Sequence, residues 1–407
     1  MRKRVVAGSI AVSVALVAAP AQAATTRYAA PSGADTDCTQ PAPCSVERAV
    51  EWAGNGDTIE VGAGIYFVGL DNIVATATGL TVEGPSPQNK PIISGLESNV
   101  LTMSNGGTVR DLELKAAGGG GSAFGINGGV AERLDVRSEG SACSVGGGAT
   151  LRDSVCYASG SGVAGVLVSS SSALLANVTA IAPGTNSAGL SVGGGGTVTG
   201  TNVIAQGGFR AALANGAGST ITLDHSDYAT EYEASGGAVT NPGSGTNITA
   251  PPVFVDASVQ DYRQDVGSPT IDAGAASPSI GSFDLEGDAR TLGPAPDIGA
   301  DERVPPVVTP PADTAPPETT IDKGPRKKGK SKKATFEFSS SETGSTFTCR
   351  VDKKAEAPCT SPLKLEGLKK GKHSLTVVAT DAAGNADASP ASYSWKVKKK
   401  SKKNQKH

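Results

Sequence analysis

Aromatic side chains make up only 4% of this 407-residue chain, and it holds three histidines and two methionines. After Trp52 no long apolar period of 3.6 residues appears, which excludes a helical bundle. No cysteine has a CxxC partner, which with so few histidines argues against a zinc site. Long apolar runs are missing too, apart from Val5 to Ala19. That run is too short for a comfortable membrane span, so no spanning segment is expected. Basic charge is scarce in the first three quarters. Residues 24–302 carry 11 Lys/Arg against 29 Asp/Glu, whereas residues 303–407 carry 22 against 10. A chain split this way meets its surroundings with two different surfaces.

What is present begins with MRKRVVAGSIAVSVALVAAPAQA. Its basic start (Arg2, Lys3, Arg4), apolar run and small Ala21 and Ala23 predict a secretory signal peptide over residues 1–23, cleaved after Ala23. The protein is therefore expected to be secreted, extracellular or cell-surface associated. Cys38 lies well past the cleavage point, which argues against a lipid anchor at the new terminus. In an oxidising compartment the six cysteines, close neighbours two by two, are expected to pair as Cys38–Cys44, Cys143–Cys156 and Cys349–Cys359.

A short β-pattern then recurs. TVRDLEL, AERLDV, TLRDSVC, LLANVTA, GTNVIA and LDHSDY align Leu112, Leu134, Ser154, Val178, Val203 and Ser226 in one column, with steps of 22, 20, 24, 25 and 23 residues. DTIEV, GLTVEG and NVLTM fit a similar beat. Short strands and Gly-rich turns at this period, with no helix between, predict coils stacked by sheet hydrogen bonds. The column before Leu112 reads Asp111, Arg133, Asp153, Asn177, Asn202, His225, and the one before that begins Arg110, Glu132, Arg152. Opposite charges therefore alternate between the first coils, and Asn177 and Asn202 look like a stacked asparagine ladder at a bend.

YAAPSGADTDCTQPAPCSVERAVEWAGNGDTIEVGAGIY (28–66) resembles the opening segment of right-handed parallel β-helix proteins of the pectin-lyase-like superfamily. The resemblance implies a helical cap, here Ser45 through Ala53, with Ser45 as N-cap and an apolar stripe of Val46, Ala49, Val50 and Trp52. The far end, APPVFVDASVQDYRQDVGSPTIDAG with DLEGDAR and DIGADE, is similar to the closing segment of the choice-of-anchor Q type of bacterial surface protein. That places a β-helix over residues 24–303. A Pro-rich spacer, 304–318, reads as stiff and extended. Residues 319–397 resemble bacterial immunoglobulin-like repeats with a TFxCxxD core and an ATDAAGN turn, which implies a small β-sandwich. A Lys-rich tail follows over 398–407.

Candidate functional residues fall in three places. The first is the basic runs: Arg326, Lys327, Lys328, Lys330, Lys332 and Lys333; Lys369, Lys370 and Lys372; Lys398, Lys399 and Lys400. They are expected to converge at the pole opposite the spacer and to hold an anionic polysaccharide or cell-wall polymer, with lipopolysaccharide or extracellular DNA as further anionic partners. Aromatics do not interleave with these lysines, which argues against sequence-specific nucleic-acid reading. The second is Asp224, His225 and Asp227, where a His between carboxylates offers general acid–base chemistry. The third is the acidic stretch SPTIDAG…DIGADE, in which Arg290 is expected to pair with Asp284, Asp288 or Asp297 while the segment caps the last coil. Asp284, Glu286 and Asp288 alternate as in some calcium loops, so calcium is the one cofactor to consider.

Three functions remain open on these grounds. A non-catalytic surface β-helix, docked through its basic module and monomeric, is the leading reading. A lyase or hydrolase on an acidic glycan is the second, and a carbohydrate-binding adhesin the third. The middle coils offer few stacking aromatics (Phe124, Tyr157, Phe209), which counts against the second.

Overall fold

The computed structural model describes residues 23–34, 37–69, 72–241, 245–305 and 312–399. Residues 1–22 of the expected signal peptide, part of the spacer, and Lys400 with the tail beyond it lie outside the described residues. The chain divides into two compact units, Met1–Pro305 and Pro306–His407. No helix of the described residues is long and apolar enough to cross a membrane.

The first unit is a parallel β-solenoid. One sheet stacks eight strands, one from each coil, and a second sheet of 14 strands carries the two remaining sides. In the middle coils those two sides run together as long bent strands, Ala149–Ala158, Ser172–Ala182 and Thr197–Gly207. The register follows the column alignment: Arg110 pairs with Glu132, Glu132 with Arg152, and Ser154 with Val178 and then Val203. NVLTM departs from it, because Leu101–Met103 belongs to the eight-stranded sheet. Inside the coils Leu112, Leu114, Leu134, Leu151 and Leu175 are fully buried. Each such side chain contributes roughly 1.5–3 kcal/mol.

The bend has a single backbone signature. Asp111, Arg133, Asp153, Asn177, Asn202 and His225 all take positive φ, between 43° and 59°. Asn and Asp tolerate this left-handed conformation better than other non-glycine residues. The side chains then stack: Asn177 Nδ2 donates to Asp153 Oδ1 at 2.8 Å, and Asn202 Nδ2 to Asn177 Oδ1 at 2.8 Å. One turn earlier Arg133 holds Asp111 through two bonds of 2.7 and 3.0 Å. Asn177→Val should therefore lose two buried hydrogen bonds and strain the backbone, costing on the order of 3 kcal/mol or more. Asn177→Gly should cost less, since it keeps the φ. Urea denaturation that ranks glycine below valine would contradict this account of the bend.

Both ends depart from expectation in detail. The cap is a helix over Val46–Glu51 with the Ser45 hydroxyl accepting from the Arg48 N–H. Val46, Ala49 and Val50 are buried, but Trp52 is 43% exposed. It ends the helix with the Arg48 guanidinium 5.1 Å above its ring instead of joining the apolar stripe.

The closing segment runs back along the side of the solenoid. Tyr262, Leu285, Ile298 and Ala300 cover the outward-facing Val155, Ile181 and Ile204 and form a second core. It reaches as far back as Lys90, whose ammonium donates to the Leu285 carbonyl. Gly299 lies so close to the sheet that a Cβ would sit 2.6 Å from Ile204 Cδ1, and its φ is +108°. Arg290 lies at 3.3 Å from Asp153 and 3.8 Å from Glu302, and also donates to the Gly299 carbonyl. The expected ion-pair partners Asp284, Asp288 and Asp297 give way to a residue of the solenoid's own bend, because the segment lies flat against that bend.

The second unit packs a three-stranded sheet on a five-stranded one. Its strands run from Thr319–Lys323 to Ala391–Val397, and Phe336, Phe338, Leu375, Val377 and Trp395 fill the space between. All three expected disulfides are formed.

Candidate functional site

The Asp224, His225, Asp227 group is divided by the bend. His225 is the last rung of the left-handed column, and its ring faces Asp224, with Nδ1 3.0 Å from Oδ1. Asp224 also accepts from its neighbour's backbone N–H and from the Thr246 hydroxyl at 2.7 Å. Burial raises its pKa, and the Thr246 and His225 bonds outweigh that, so the group lies below the ordinary aspartate value. Asp227 goes elsewhere. It is 2% exposed and its Oδ2 has no hydrogen-bond partner, whereas the His225 ring is taken by Asp224. Burial alone pushes it up to about 7. The general acid–base arrangement needs all three within reach of one substrate. The fold does not bring them together.

Of the calcium candidates, Asp284 is already committed to the backbone. Asp284 is buried and spends its carboxylate on backbone N–H groups: Oδ1 accepts from Glu286 at 3.0 Å and Asp288 at 2.8 Å, and Oδ2 from Glu302 at 2.9 Å. Glu286 lines one small groove with Arg137 and Arg263 and another with Asp288, where Lys90 supplies the cation. Among the described residues only Asp313, Glu342 and Asp381 place three carboxylate oxygens within 4.8 Å of one another. That trio belongs to the second unit and was not apparent in the sequence. Its Asp381 carboxylate is already used by Asn385, at 2.7 and 2.9 Å.

The basic runs do come together. The first is partly a strand, Lys328–Gly329, which pairs in parallel with Lys396–Val397. Lys396 lies directly opposite Lys328 on one side and Lys372 on the other, so three lysines form one row across the sheet. Backbone bonds tie the runs: Lys396 N–H to the Lys327 carbonyl at 2.9 Å, Lys398 N–H to Gly329 at 2.7 Å, and Leu368 N–H to Lys332 at 3.0 Å. Lys327 lies over the Tyr393 ring at 3.6 Å, and Lys333 is paired with Glu366 at 2.6 Å. Lys369 lends its carbonyl to His373. Arg326, Lys330, Lys370 and Lys399 stand in the same runs.

A shallow basin of about 670 Å³ occupies this end. Lys327, Lys328, Lys353, Lys372 and Lys396 surround His373 and Trp395 there. Lys353, Lys396, His373 and Trp395 were not among the sequence candidates. The alternation of Tyr393, Trp395 and Val397 inward with Lys396 outward was the available signal. Both ring nitrogens of His373 have acceptors, the Lys369 carbonyl at 2.7 Å and Asp352 at 2.8 Å. Only the imidazolium can donate to both, and these contacts, the Lys369 bond first, hold its pKa above the ordinary value. The basin lies at the start of the strand Gly371–Thr380, and the end of that strand leads to Asp381 and the residues bonding Asp313. The row therefore sits at the far end of the unit from the spacer.

No protein-family model matches the chain, and no curated protein does. Among solved structures it is similar to the pectate lyase Pel9A, at 15% identity and a TM-score of 0.40, over 69% of this chain and 96% of that one. It is also similar to the chitinase ChiW from Paenibacillus sp. str. FPU-7, described as a bacterial cell-surface-expressed multi-modular enzyme, at 12% identity and a TM-score of 0.16. That match covers 84% of this chain but 24% of the chitinase, so the chain spans about a quarter of its length. The strand pairing of the first unit makes it a parallel β-helix, a fold that carries many unrelated functions.

Proposed function

We propose that this is an extracellular, non-catalytic β-helix protein that docks on an anionic polysaccharide or cell-wall polymer through the lysine row of its second unit. The observation that carries the reading is the row itself. Like charges directly opposite on neighbouring strands are destabilising, by roughly 0.2–1 kcal/mol a pair. A chain that sets Lys328, Lys396 and Lys372 side by side accepts that cost, and a polyanion laid across the row would relieve it. Asp352 is the nearby acid, and it is engaged by His373 and the Ser374 N–H. The three disulfides support an oxidising location. The closing segment supports the non-catalytic part, since it covers the outward-facing Val155, Ile181 and Ile204 on one face of the solenoid.

The full-length chain should bind immobilised polygalacturonate and lipoteichoic acid at low salt and be released as salt rises. The triple variant Lys328→Ser, Lys372→Ser, Lys396→Ser should lower the slope of log affinity against log salt by about 2–3, taking roughly 0.7–0.9 per lost contact. It should also melt no lower than the parent protein, because a repulsive row has been removed. Unchanged binding in the triple variant would sink the proposal. Loss of binding together with loss of the sandwich's melting transition would show only that the row is structural.

A further inference from the structure

Asp227 lies at the floor of a cleft of about 500 Å³ on the side of the solenoid. The walls are apolar: Ile181, Pro183, Ala205, Ala211 and Pro251. The polar side chains that line it, Gln206, Thr230 and Thr249, are uncharged. A carboxyl group buried with an unpartnered oxygen is costly, because the group has left water and gained nothing in return. Native structures keep such a group when something else completes it. Next to the lining residues Gly208 and Ala211 stands an aromatic pair. Phe209 and Tyr232 are 40% and 41% exposed, with ring centroids 6.0 Å apart. The Arg210 guanidinium lies over both rings, at 4.2 and 4.9 Å, so this rim already holds one cation by its π-faces.

We propose that this cleft binds an organic cation, an ammonium group carried on an apolar body, with the ammonium donating to Asp227 and the body against the Ile181–Pro251 walls. Four observations select that chemistry. The floor offers an acceptor and no cation. The walls ask for an apolar body. The rim tolerates positive charge. The surrounding unit is strongly acidic, with 29 Asp/Glu against 11 Lys/Arg in residues 24–302, which attracts cations and repels anions. The site is separate from the lysine row and of opposite sign, so the two can be tested apart.

Three small molecules that differ in charge on one ring suffice as probes: cyclohexylamine, cyclohexanol and cyclohexanecarboxylate. They would be titrated into the full-length protein and followed by NMR shifts of labelled alanine methyls, of which Ala205 and Ala211 report on the cleft. At about pH 8 the amine should bind about tenfold or more tighter than the alcohol, and the carboxylate should bind weakest. The preference should fade as pH drops through about 7, where Asp227 takes up a proton. No charged side chain lines the cleft to share that titration. Asp227→Asn should erase the amine preference and its pH dependence. Tyr232→Ala, at the exposed rim, should weaken the amine severalfold without disturbing the core.

Equal affinity for amine and alcohol in the unmodified protein would overturn the proposal, as would tightest binding of the carboxylate. Amine binding that survives Asp227→Asn with its pH dependence intact would do the same. The comparison among the three probes needs no variant, so a variant that failed to fold would leave the test standing.

Discussion

Replacing Arg290 with methionine should loosen the closing segment and lower the stability of the solenoid by roughly 3–5 kcal/mol at about pH 8. The guanidinium is 3% exposed and lies between Asp153 of the bend and Glu302 of the segment. Methionine fills much of the volume and supplies no charge. The loss therefore reports on the carboxylates left without their cation. Those acids can respond by taking up protons, so the loss should shrink towards about pH 5. A second change makes the interpretation firm. Asp153→Asn keeps an acceptor for Asn177 Nδ2 and removes the charge that faces Arg290. The double variant should be less damaged than the two single losses predict, by about 1–3 kcal/mol of coupling. Near-ultraviolet circular dichroism of Tyr157 and Tyr262, whose rings lie 5.8 Å apart across the seam, would show whether the segment has lifted. A methionine variant that melts with the parent at the higher pH would mean that the ion pair does not hold the segment.

The coils and their bend were legible because each position repeats. A polar residue at positive φ recurs once per coil, Asp or Asn in four of the six, and the column from Asp111 to His225 could be aligned without coordinates. The same alignment put His225 in this column, although only Asn177 and Asn202 were read from the sequence as a bend. The path of the closing segment was harder to see. Its acids suggested a cap over the open end, whereas the apolar side chains waiting to be covered lie on the solenoid's flank. The signal is local. In SVCYA, TAIA and NVIA the apolar residues are adjacent, Val155 with Cys156, Ile181 with Ala180, Ile204 with Val203. A strand with one face in water should alternate, and a run of adjacent apolar residues marks a strand buried on both faces. That the basic runs converge was expected from the sequence, but which lysines would stand side by side was not. Lys328 and Lys396 are far apart in the chain, and only the strand register of the folded unit makes them neighbours. The unpartnered Oδ2 of Asp227 was also beyond sequence reasoning, since an oxygen's lack of a partner depends on every element around it.

The closing segment also makes the solenoid's stability depend on pH in an unusual direction. Burial pushes Asp153 up to about 6, against the attraction of Arg290 and the Asn177 hydrogen bond. Burial likewise pushes Asp301 and Glu302 up to about 7, against hydrogen bonds from Gln264 and from Asp297 and Leu292. Asp284 and Asp297 move the same way for the same first cause. Each of these groups holds its proton more tightly when folded than when unfolded. Their contribution is thus fully present below the ordinary carboxylate range, near pH 4, and is lost as pH rises through about 6 to 7. Groups shifted downward, such as Asp57 and Asp261, act in the opposite sense but only at lower pH. The first unit should therefore melt higher at about pH 5 than at about pH 8. Allowing for relaxation around the charges, a difference of roughly 2–4 kcal/mol corresponds to about 3–7 °C for a unit of this size. Asp301→Asn isolates the effect. Its amide can still accept the Gln264 N–H through oxygen, while the buried charge can no longer form. That variant should gain stability at the higher pH, gain little at the lower, and flatten the profile. A melting temperature that rises steadily from about pH 5 to about pH 8 would show that these acids are ionised without cost, and that the segment is held by its apolar contacts with Val155, Ile181 and Ile204 alone.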